Sequence, residues 1–104
     1  MKLLFSIFSF FLFQLAGAQE YYIVLGTYDS PKSEGVYVYK FNAAEGSARE
    51  ISHFKTSNPS FIAVSPDERF VYAVNETAPQ GGKGGEIVAF SFNKLTGELT
   101  LINK

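Results

Sequence analysis

Residues 58–76 read NPSFIAVSPDERFVYAVNE, two short apolar runs on either side of a proline-containing turn. The runs, residues 61–64 and 70–75, are rich in β-branched and aromatic side chains, the composition typical of β-strands. Between them, Ser65 and Pro66 begin a β-turn, because the fixed φ of proline suits the second turn position. The stretch therefore predicts an antiparallel hairpin with a tight turn.

Five further strand-like runs lie on both sides of this hairpin, of which the one at residues 49–56 is weaker and more polar. They cover residues 21–28, 35–41, 49–56, 86–92 and 98–102. No segment after residue 18 keeps apolar side chains at helical spacing over three turns. Residues 42–46 and 93–97 each end in a glycine, which can take the left-handed conformation that tight hairpin loops need. The predicted fold class is all-β, with antiparallel sheets.

The strand pattern repeats once along the chain, at a spacing of 50 or 51 residues. The matched positions are Phe41 with Phe92, Asn42 with Asn93, Gly46 with Gly97, and Tyr22-Ile23-Val24 with Tyr72-Ala73-Val74. A repeat of about 40–50 residues with four strands is typical of a β-propeller blade. A β-sandwich that happens to contain two similar hairpins is the alternative.

The repeat also predicts how the strands divide into blades. Residues 58–104 hold four strands and make one complete blade, whereas residues 19–57 hold three and lack the innermost strand. We therefore expect the first one and three-quarter blades of a seven-bladed propeller. Because two blades cannot close a ring, we also expect an N-terminal fragment of a longer protein, whose remaining blades are required for closure.

Three pieces of sequence, taken in order, resemble the lactonase family of seven-bladed β-propellers, typified by 6-phosphogluconolactonase. They are GTY at 26–28 followed by GVYVY at 35–39, the stretch 58–76, and FNKLTGEL at 92–99. Glu68 departs from the pattern, since these turns usually carry glycine. The resemblance implies a hydrolase that opens a sugar lactone, with 6-phosphogluconolactone as the named substrate and no cofactor. The family's proposed catalytic residues lie in later blades and cannot be carried over to this sequence.

Residues 1–18 have the features of a signal peptide. Lys2 precedes an apolar run at 3–15, and small residues at 16–18 predict cleavage between Ala18 and Gln19. A membrane-spanning helix needs about 20 apolar residues, and this run is shorter. The sequence predicts an exported protein, periplasmic or extracellular, with no membrane span after cleavage; an uncleaved anchor is the alternative.

Composition argues against several classes of function. The formal net charge is −1, and no clustered basic face indicates nucleic-acid binding. The chain has no cysteine, which excludes disulfides and zinc–thiolate sites. His53 is the only histidine and is expected to be an ordinary surface or packing residue, so the sequence predicts no metal site and no histidine-based triad.

The candidate functional face is the one that carries the longer connections, residues 29–34, 56–60 and 76–85. Function tends to lie on long loops held by a rigid scaffold. Asn58, Asn75 and Glu76 lie at strand ends on this face and are the candidate substrate-binding residues. The alternative is that the two asparagines only bond nearby backbone.

Two motifs in this region have other interpretations. The stretch GGKGG at 81–85 is better explained as a flexible hairpin loop than as a phosphate loop, because no Ser or Thr and no helix follow Lys83. Asn75-Glu76-Thr77 fits a glycosylation sequon.

Two functions of different classes follow. The first is an exported lactonase-like hydrolase whose isolated N-terminal fragment is inactive. The second is a non-catalytic extracytoplasmic propeller that binds a ligand or protein through the same face, since a fold does not fix a function.

Overall fold

The computed structural model describes residues 19–76 and 85–104, which form seven β-strands. They are β1 (Glu20–Gly26), β2 (Val36–Asn42), β3 (Ser47–Phe54), β4 (Pro59–Val64), β5 (Phe70–Asn75), β6 (Glu86–Phe92) and β7 (Leu99–Asn103). The predicted signal peptide and most of the glycine-rich loop lie outside the described residues.

The strands form two antiparallel sheets in which each strand pairs with its neighbour in sequence. Sheet 1 has the order β1-β2-β3, and sheet 2 the order β4-β5-β6-β7. The all-β, antiparallel prediction is confirmed, including the division into three and four strands. The clearest difference is β3, which begins at Ser47 rather than at residue 49 because Ser47 pairs with Asn42 across the hairpin.

The core lies between the two sheets. It contains fully buried side chains from both: Val36 and Val38 from sheet 1, and Val71, Ala73, Val88 and Phe90 from sheet 2. At the same interface, the rings of Phe54 and Phe90 meet edge to face with centroids 5.0 Å apart. The sheets stack in the same strand order, with β1 beside β4 and β3 beside β7.

Alternation along the strands leaves each sheet with an inner face, toward the other sheet, and an outer face. The outer face of sheet 1 carries Tyr21, Ile23, Leu25, Tyr37 and Tyr39, which are brought together by the β1–β2 register. The outer face of sheet 2 carries Phe61, Tyr72, Val74 and Ile87. Both outer faces are therefore largely apolar.

The two repeated hairpin turns have the same hydrogen bonds. In each, the asparagine side-chain oxygen accepts two backbone N–H groups: Asn42 from Ala44 and Glu45, and Asn93 from Leu95 and Thr96. Each turn ends in a glycine with positive φ, 69° at Gly46 and 79° at Gly97. The repeat seen in the sequence is thus a repeat of local structure.

The turn between β4 and β5 has the same tightness without a glycine. The N–H of Glu68 donates to the carbonyl of Ser65 over 2.9 Å, and Glu68 has a φ of 60°. The hydroxyl of Ser65 donates to Asp67, and this hydrogen bond is the main cause of the lowered pKa of the Asp67 carboxyl.

In residues 19–76 and 85–104 there is no helix that could cross a membrane.

Candidate functional site

The β1–β2 and β3–β4 connections meet the end of β5 and the start of β6 at one end of the two sheets, and the contacts between them define the candidate site. Hydrogen bonds join the β1–β2 connection to the β3–β4 connection, and both of these to the ends of β5 and β6. We call this group the loop cluster; its members are Tyr28, Asp29, Thr56, Asn58, Asn75, Glu76 and Glu86.

Asp29 and Asn58 form a reciprocal clasp. The N–H of Asp29 donates to the side-chain oxygen of Asn58 over 2.7 Å, and the N–H of Asn58 donates to a carboxylate oxygen of Asp29 over 3.3 Å. Asn58 has a φ of 47°, the left-handed conformation that asparagine tolerates better than most residues. Asn58 therefore bonds backbone, as the alternative interpretation expected, but the backbone belongs to a loop 29 residues away.

Asn75 is a member of the loop cluster whose side chain is fully buried. Its amide nitrogen donates to the hydroxyl of Thr56 over 2.7 Å and to the carboxylate of Glu86 over 3.0 Å. Its side-chain oxygen has no hydrogen-bond partner in the described part of the chain. The Asn75 amide thus links Thr56 in the β3–β4 connection to Glu86 at the start of β6.

The burial of Asn75 bears on the sequon pattern at residues 75–77. Glycosylation needs an accessible asparagine nitrogen, and this nitrogen is buried and already donates two hydrogen bonds. The sequon at 75–77 is therefore not an acceptor site in the folded chain.

Glu76 is an exposed acid of the cluster, like Asp29, and it contacts Tyr28 in the β1–β2 connection. The hydroxyl of Tyr28 donates to its carboxylate over 3.1 Å. This bond, together with the negative charge of Glu76, raises the pKa of Tyr28, so the phenol remains a protonated donor at neutral pH. A carboxylate and a phenol hydroxyl are thus presented side by side.

The structure brings Asn58, Asn75 and Glu76 to the same end of the two sheets. Sequence reasoning did not find four other members of the cluster: Tyr28, Asp29, Thr56 and Glu86. Each of them flanks one of the long connections, which was the only signal available. Which side chains meet there depends on the stacking of the two sheets, which no local pattern encodes.

His53 lies away from the loop cluster, on the outer face of sheet 1. Its ring stacks on Tyr37 with centroids 5.2 Å apart, and its Nδ1 is 3.2 Å from a carboxylate oxygen of Glu50. Over residues 19–76 and 85–104, no three His, Asp or Glu side chains are grouped so that they could hold a metal.

Charge at the loop end is unbalanced toward the acidic side among the described residues. The acids are Asp29, Glu34, Glu76 and Glu86, and the bases are Lys32 and Lys55. Glu34 and Lys55 are paired, at 3.5 Å. Carboxylates and amide oxygens accept hydrogen bonds from hydroxyl groups, so this surface suits a neutral polyol better than an anion.

The chain matches a known family and several known proteins. Residues 22–104 match the model of the family described as "Lactonase, 7-bladed beta-propeller". A 6-phosphogluconolactonase of Formosa agariphila is 34% identical over 76 residues, which cover 72% of this chain and 21% of that protein.

Two solved structures share the arrangement of the sheets. One, from Bacteroides fragilis, has a TM-score of 0.73 and 36% identity, covering 83% of this chain and 23% of that one. The other is the periplasmic gluconolactonase of Pseudomonas aeruginosa, with a TM-score of 0.70 and 35% identity, covering 80% of this chain and 24% of that one. The chain therefore spans between a fifth and a quarter of the length of the proteins it matches.

Proposed function

The chain belongs to the lactonase family of seven-bladed β-propellers, and from this premise we propose that it is the N-terminal part of an exported hydrolase that opens the ring of a sugar lactone. The observation that carries the proposal is that the family match runs through both sheets, over residues 22–104. The leader-like residues 1–18 and the likeness to a periplasmic gluconolactonase support export.

In this proposal, the two sheets are the start of the ring. Residues 19–57 form a blade that lacks its innermost strand, and residues 58–104 form a complete blade. Further blades close the ring and supply the missing strand. The support is that the chain spans about a fifth of its relative's length.

The loop cluster is proposed to bind the substrate's hydroxyl groups. Asn58 and Asn75 set the positions of the loops, and Glu76 with Tyr28 offers an exposed acceptor and donor at their rim. Of these, Glu76 is best placed for direct contact, because it is exposed whereas Asn75 is buried.

The chemical step itself needs groups from other blades. Hydrolysis of a lactone requires a general base that activates water and donors or a cation that stabilise the developing oxyanion. Among the described residues of the loop end, carboxylates are in excess, and one of the two lysines, Lys55, is held in an ion pair with Glu34. We therefore place the catalytic groups on the blades that complete the ring.

The proposed substrate class is the unphosphorylated aldonolactone, such as glucono-δ-lactone. A phosphate group carries close to two negative charges at neutral pH and is repelled by an acidic surface. The acidic excess among the described residues of the loop end therefore supports an unphosphorylated sugar.

The test is a comparison of lactone hydrolysis by the full-length gene product on glucono-δ-lactone and 6-phosphogluconolactone, each against the spontaneous rate. We expect a higher kcat/KM for the unphosphorylated substrate. Glu76→Gln should raise KM for it by about tenfold, the loss of one hydrogen bond to a charged acceptor. Glu50→Gln, an exposed change in β3, is the matched control and should leave KM unchanged.

Two results would count against this function. Hydrolysis no faster than the spontaneous rate on either substrate would favour the non-catalytic binding propeller. Lactonase activity in the chain of residues 1–104 alone would contradict the proposal that other blades carry the catalytic groups.

A further inference from the structure

Glu76, the side chain proposed to contact the substrate, belongs to a closed ring of hydrogen bonds. Its carboxylate accepts the hydroxyl of Tyr28 over 3.1 Å, and its N–H donates to the carbonyl of Asn58 over 3.0 Å. The side-chain oxygen of Asn58 accepts the N–H of Asp29 over 2.7 Å, and Asp29 follows Tyr28 in the chain. Both the backbone and the carboxylate of Glu76 are therefore tied to the β1–β2 connection.

Asn58 is the centre of this ring, because three of its polar groups are used in it. Besides its carbonyl and its side-chain oxygen, its N–H donates to the carboxylate of Asp29 over 3.3 Å. The other carboxylate oxygen of Asp29 accepts the hydroxyl of Ser57 over 3.2 Å, so Asp29 is also held at several points. These bonds keep Asn58 at a φ of 47°, in the left-handed conformation that costs an L-residue free energy.

The ring matters for binding because a glutamate side chain has several rotatable bonds. Ordering such a side chain when a ligand arrives costs conformational entropy, and a side chain that is already ordered avoids this cost. The bond from Tyr28 orders the carboxylate of Glu76 in advance. That bond can form only if the two backbones are at the right separation, and the contacts of Asn58 with Asp29 and Glu76 set this separation.

We propose that Asp29 and Asn58 are positioning residues of the candidate site, whose clasp holds the Glu76 carboxylate beside the Tyr28 hydroxyl. Hydroxyl groups of the lactone then meet an acceptor and a phenol that are already in place. Asp29 and Asn58 act through Glu76 and do not themselves contact the substrate. The substrate in this inference rests on the proposed function, whereas the positioning of Glu76 is a property of the folded chain.

Four variants separate positioning from other effects. Asn58→Gly removes the oxygen that accepts from Asp29, but glycine tolerates the left-handed φ and keeps the carbonyl for Glu76. Asp29→Ala breaks the other half of the clasp. Asp29→Asn loses the charge but keeps an oxygen that can accept the N–H of Asn58. Asn93→Gly is the matched control, since the Asn93 side chain also accepts backbone N–H groups, in a turn at the opposite end of the sheets.

The first measurement does not depend on activity: it is the pKa of Tyr28 in the full-length gene product, followed by NMR of ¹³C-labelled tyrosine and assigned with Tyr28→Phe. The hydrogen bond to Glu76 and the charge of Glu76 raise this pKa, so Glu76→Gln should lower it. Asn58→Gly and Asp29→Ala should lower it as well, because they release Glu76 from Tyr28. Asp29→Asn and Asn93→Gly should leave it unchanged.

The second measurement is the hydrolysis of glucono-δ-lactone by the same proteins. Asn58→Gly should raise KM, by no more than the factor of about ten expected for Glu76→Gln, and should leave kcat nearly unchanged. Asp29→Asn should keep the KM of the unaltered protein. When Asn58→Gly is combined with Glu76→Gln, KM should rise no further, because the clasp then has no carboxylate to position.

Several results would overturn the proposal. A Tyr28 pKa that is the same in Asn58→Gly and Asp29→Ala as in the unaltered protein would show that the clasp does not hold Glu76. Asp29→Asn behaving like Asp29→Ala would assign the effect to charge. Additive increases in KM in the double variant would indicate a general structural role.

Failure of the proposed function can be told apart from failure of this inference. If the full-length protein hydrolyses neither lactone, the enzymatic function is wrong, and the titration of Tyr28 alone decides whether the clasp positions Glu76. Far-UV circular dichroism checks that each variant is folded. If Asn58→Gly does not fold, the comparison of Asp29→Ala with Asp29→Asn decides the question.

Discussion

Asn75 shows how one buried amide can connect two sheets. Its side-chain nitrogen donates to Thr56 on one side and Glu86 on the other, so replacing that nitrogen by oxygen alters both hydrogen bonds. Asn42, by contrast, uses only its oxygen, as an acceptor in an exposed turn. The two residues make a matched pair for testing what burial and donor chemistry contribute.

Asn75→Asp is expected to destabilise the chain by on the order of 2–4 kcal/mol at pH 7, because it places a second carboxylate beside Glu86 in a buried position. Burial and Glu86 would raise the folded-state pKa of the new carboxyl above its unfolded value. Its destabilising effect should therefore be smallest below about pH 4 and grow as pH rises through the range between the two pKa values. Urea unfolding at pH 4 and pH 7 measures this.

Asn42→Asp is the control for that substitution, since a carboxylate oxygen can accept the same two backbone hydrogen bonds. We expect a change within about 0.5 kcal/mol. Equal losses in the two variants would show that the bridge from Asn75 to Thr56 and Glu86 contributes nothing specific.

Glu68→Gly is expected to stabilise the chain, because Glu68 occupies the left-handed region with a φ of 60°. That conformation costs a non-glycine residue about 1–2 kcal/mol, from which the extra unfolded-state entropy of glycine, about 0.5–1 kcal/mol, is subtracted. A gain of up to about 1.5 kcal/mol should appear as a higher thermal midpoint. Glu68→Ala removes the carboxylate but keeps the Cβ; if it stabilised equally, backbone strain would not be the cause.

For single residues, the sequence predicted which positions lie at the candidate site, but not which other residues their side chains contact. Asn58, Asn75 and Glu76 were found because strand ends can be located from composition and turn residues. Whether an asparagine at such a position is exposed or buried depends on the opposite sheet. That is why the sequence pattern at Asn75 fits a sequon although the side chain is buried, and why Asp29 was not recognised as the partner of Asn58.

Strands β1 and β4 approach each other closely where Gly26 meets Pro59. A Cβ on Gly26 would overlap with the carbonyl oxygen of Pro59, which belongs to the backbone and cannot rotate away. The absence of a side chain at Gly26 is therefore a condition for the stacking of the two sheets.

Gly26→Ala is expected to cost about 2–3 kcal/mol, since the sheets must separate locally to admit one methyl group. Gly46→Ala is the matched control: its φ is 69°, but no atom lies within 4 Å of the added methyl. Backbone strain alone should cost about 1 kcal/mol there. Chemical denaturation of both variants separates the two causes, and a Gly26→Ala loss no larger than the control's would refute the close approach.

Elements were easier to predict than their ends. All seven strands follow from β-branched and aromatic runs between turn residues, because that local preference agrees with the sheet that forms. The start of β3 was misjudged because Ser47 and Ala48 carry no strand signal of their own. They are held in the strand by pairing with Asn42 and Phe41 in the preceding strand.

For the whole molecule, we expect the exported chain to begin at Gln19, with or without cyclisation of that glutamine. Small side chains before the cleavage site are required by signal peptidase, so Ala18→Leu should block processing, whereas Gly17→Ser should not. Intact-mass spectrometry of the exported fraction distinguishes the forms. A chain that is exported with Met1 still present would contradict the signal peptide.

The order of strands within the sheets has a consequence for how the chain matures. Because β1, β2 and β3 pair only with sequence neighbours among the described residues, the two strand pairings seen in sheet 1 need nothing beyond Phe54. Synthesis proceeds from the N-terminus at about 5–20 residues per second, and local contacts form far faster than that. Sheet 1 can therefore form while later residues are still being translated. Sheet 2 can then pack against the inner face of sheet 1 as it forms.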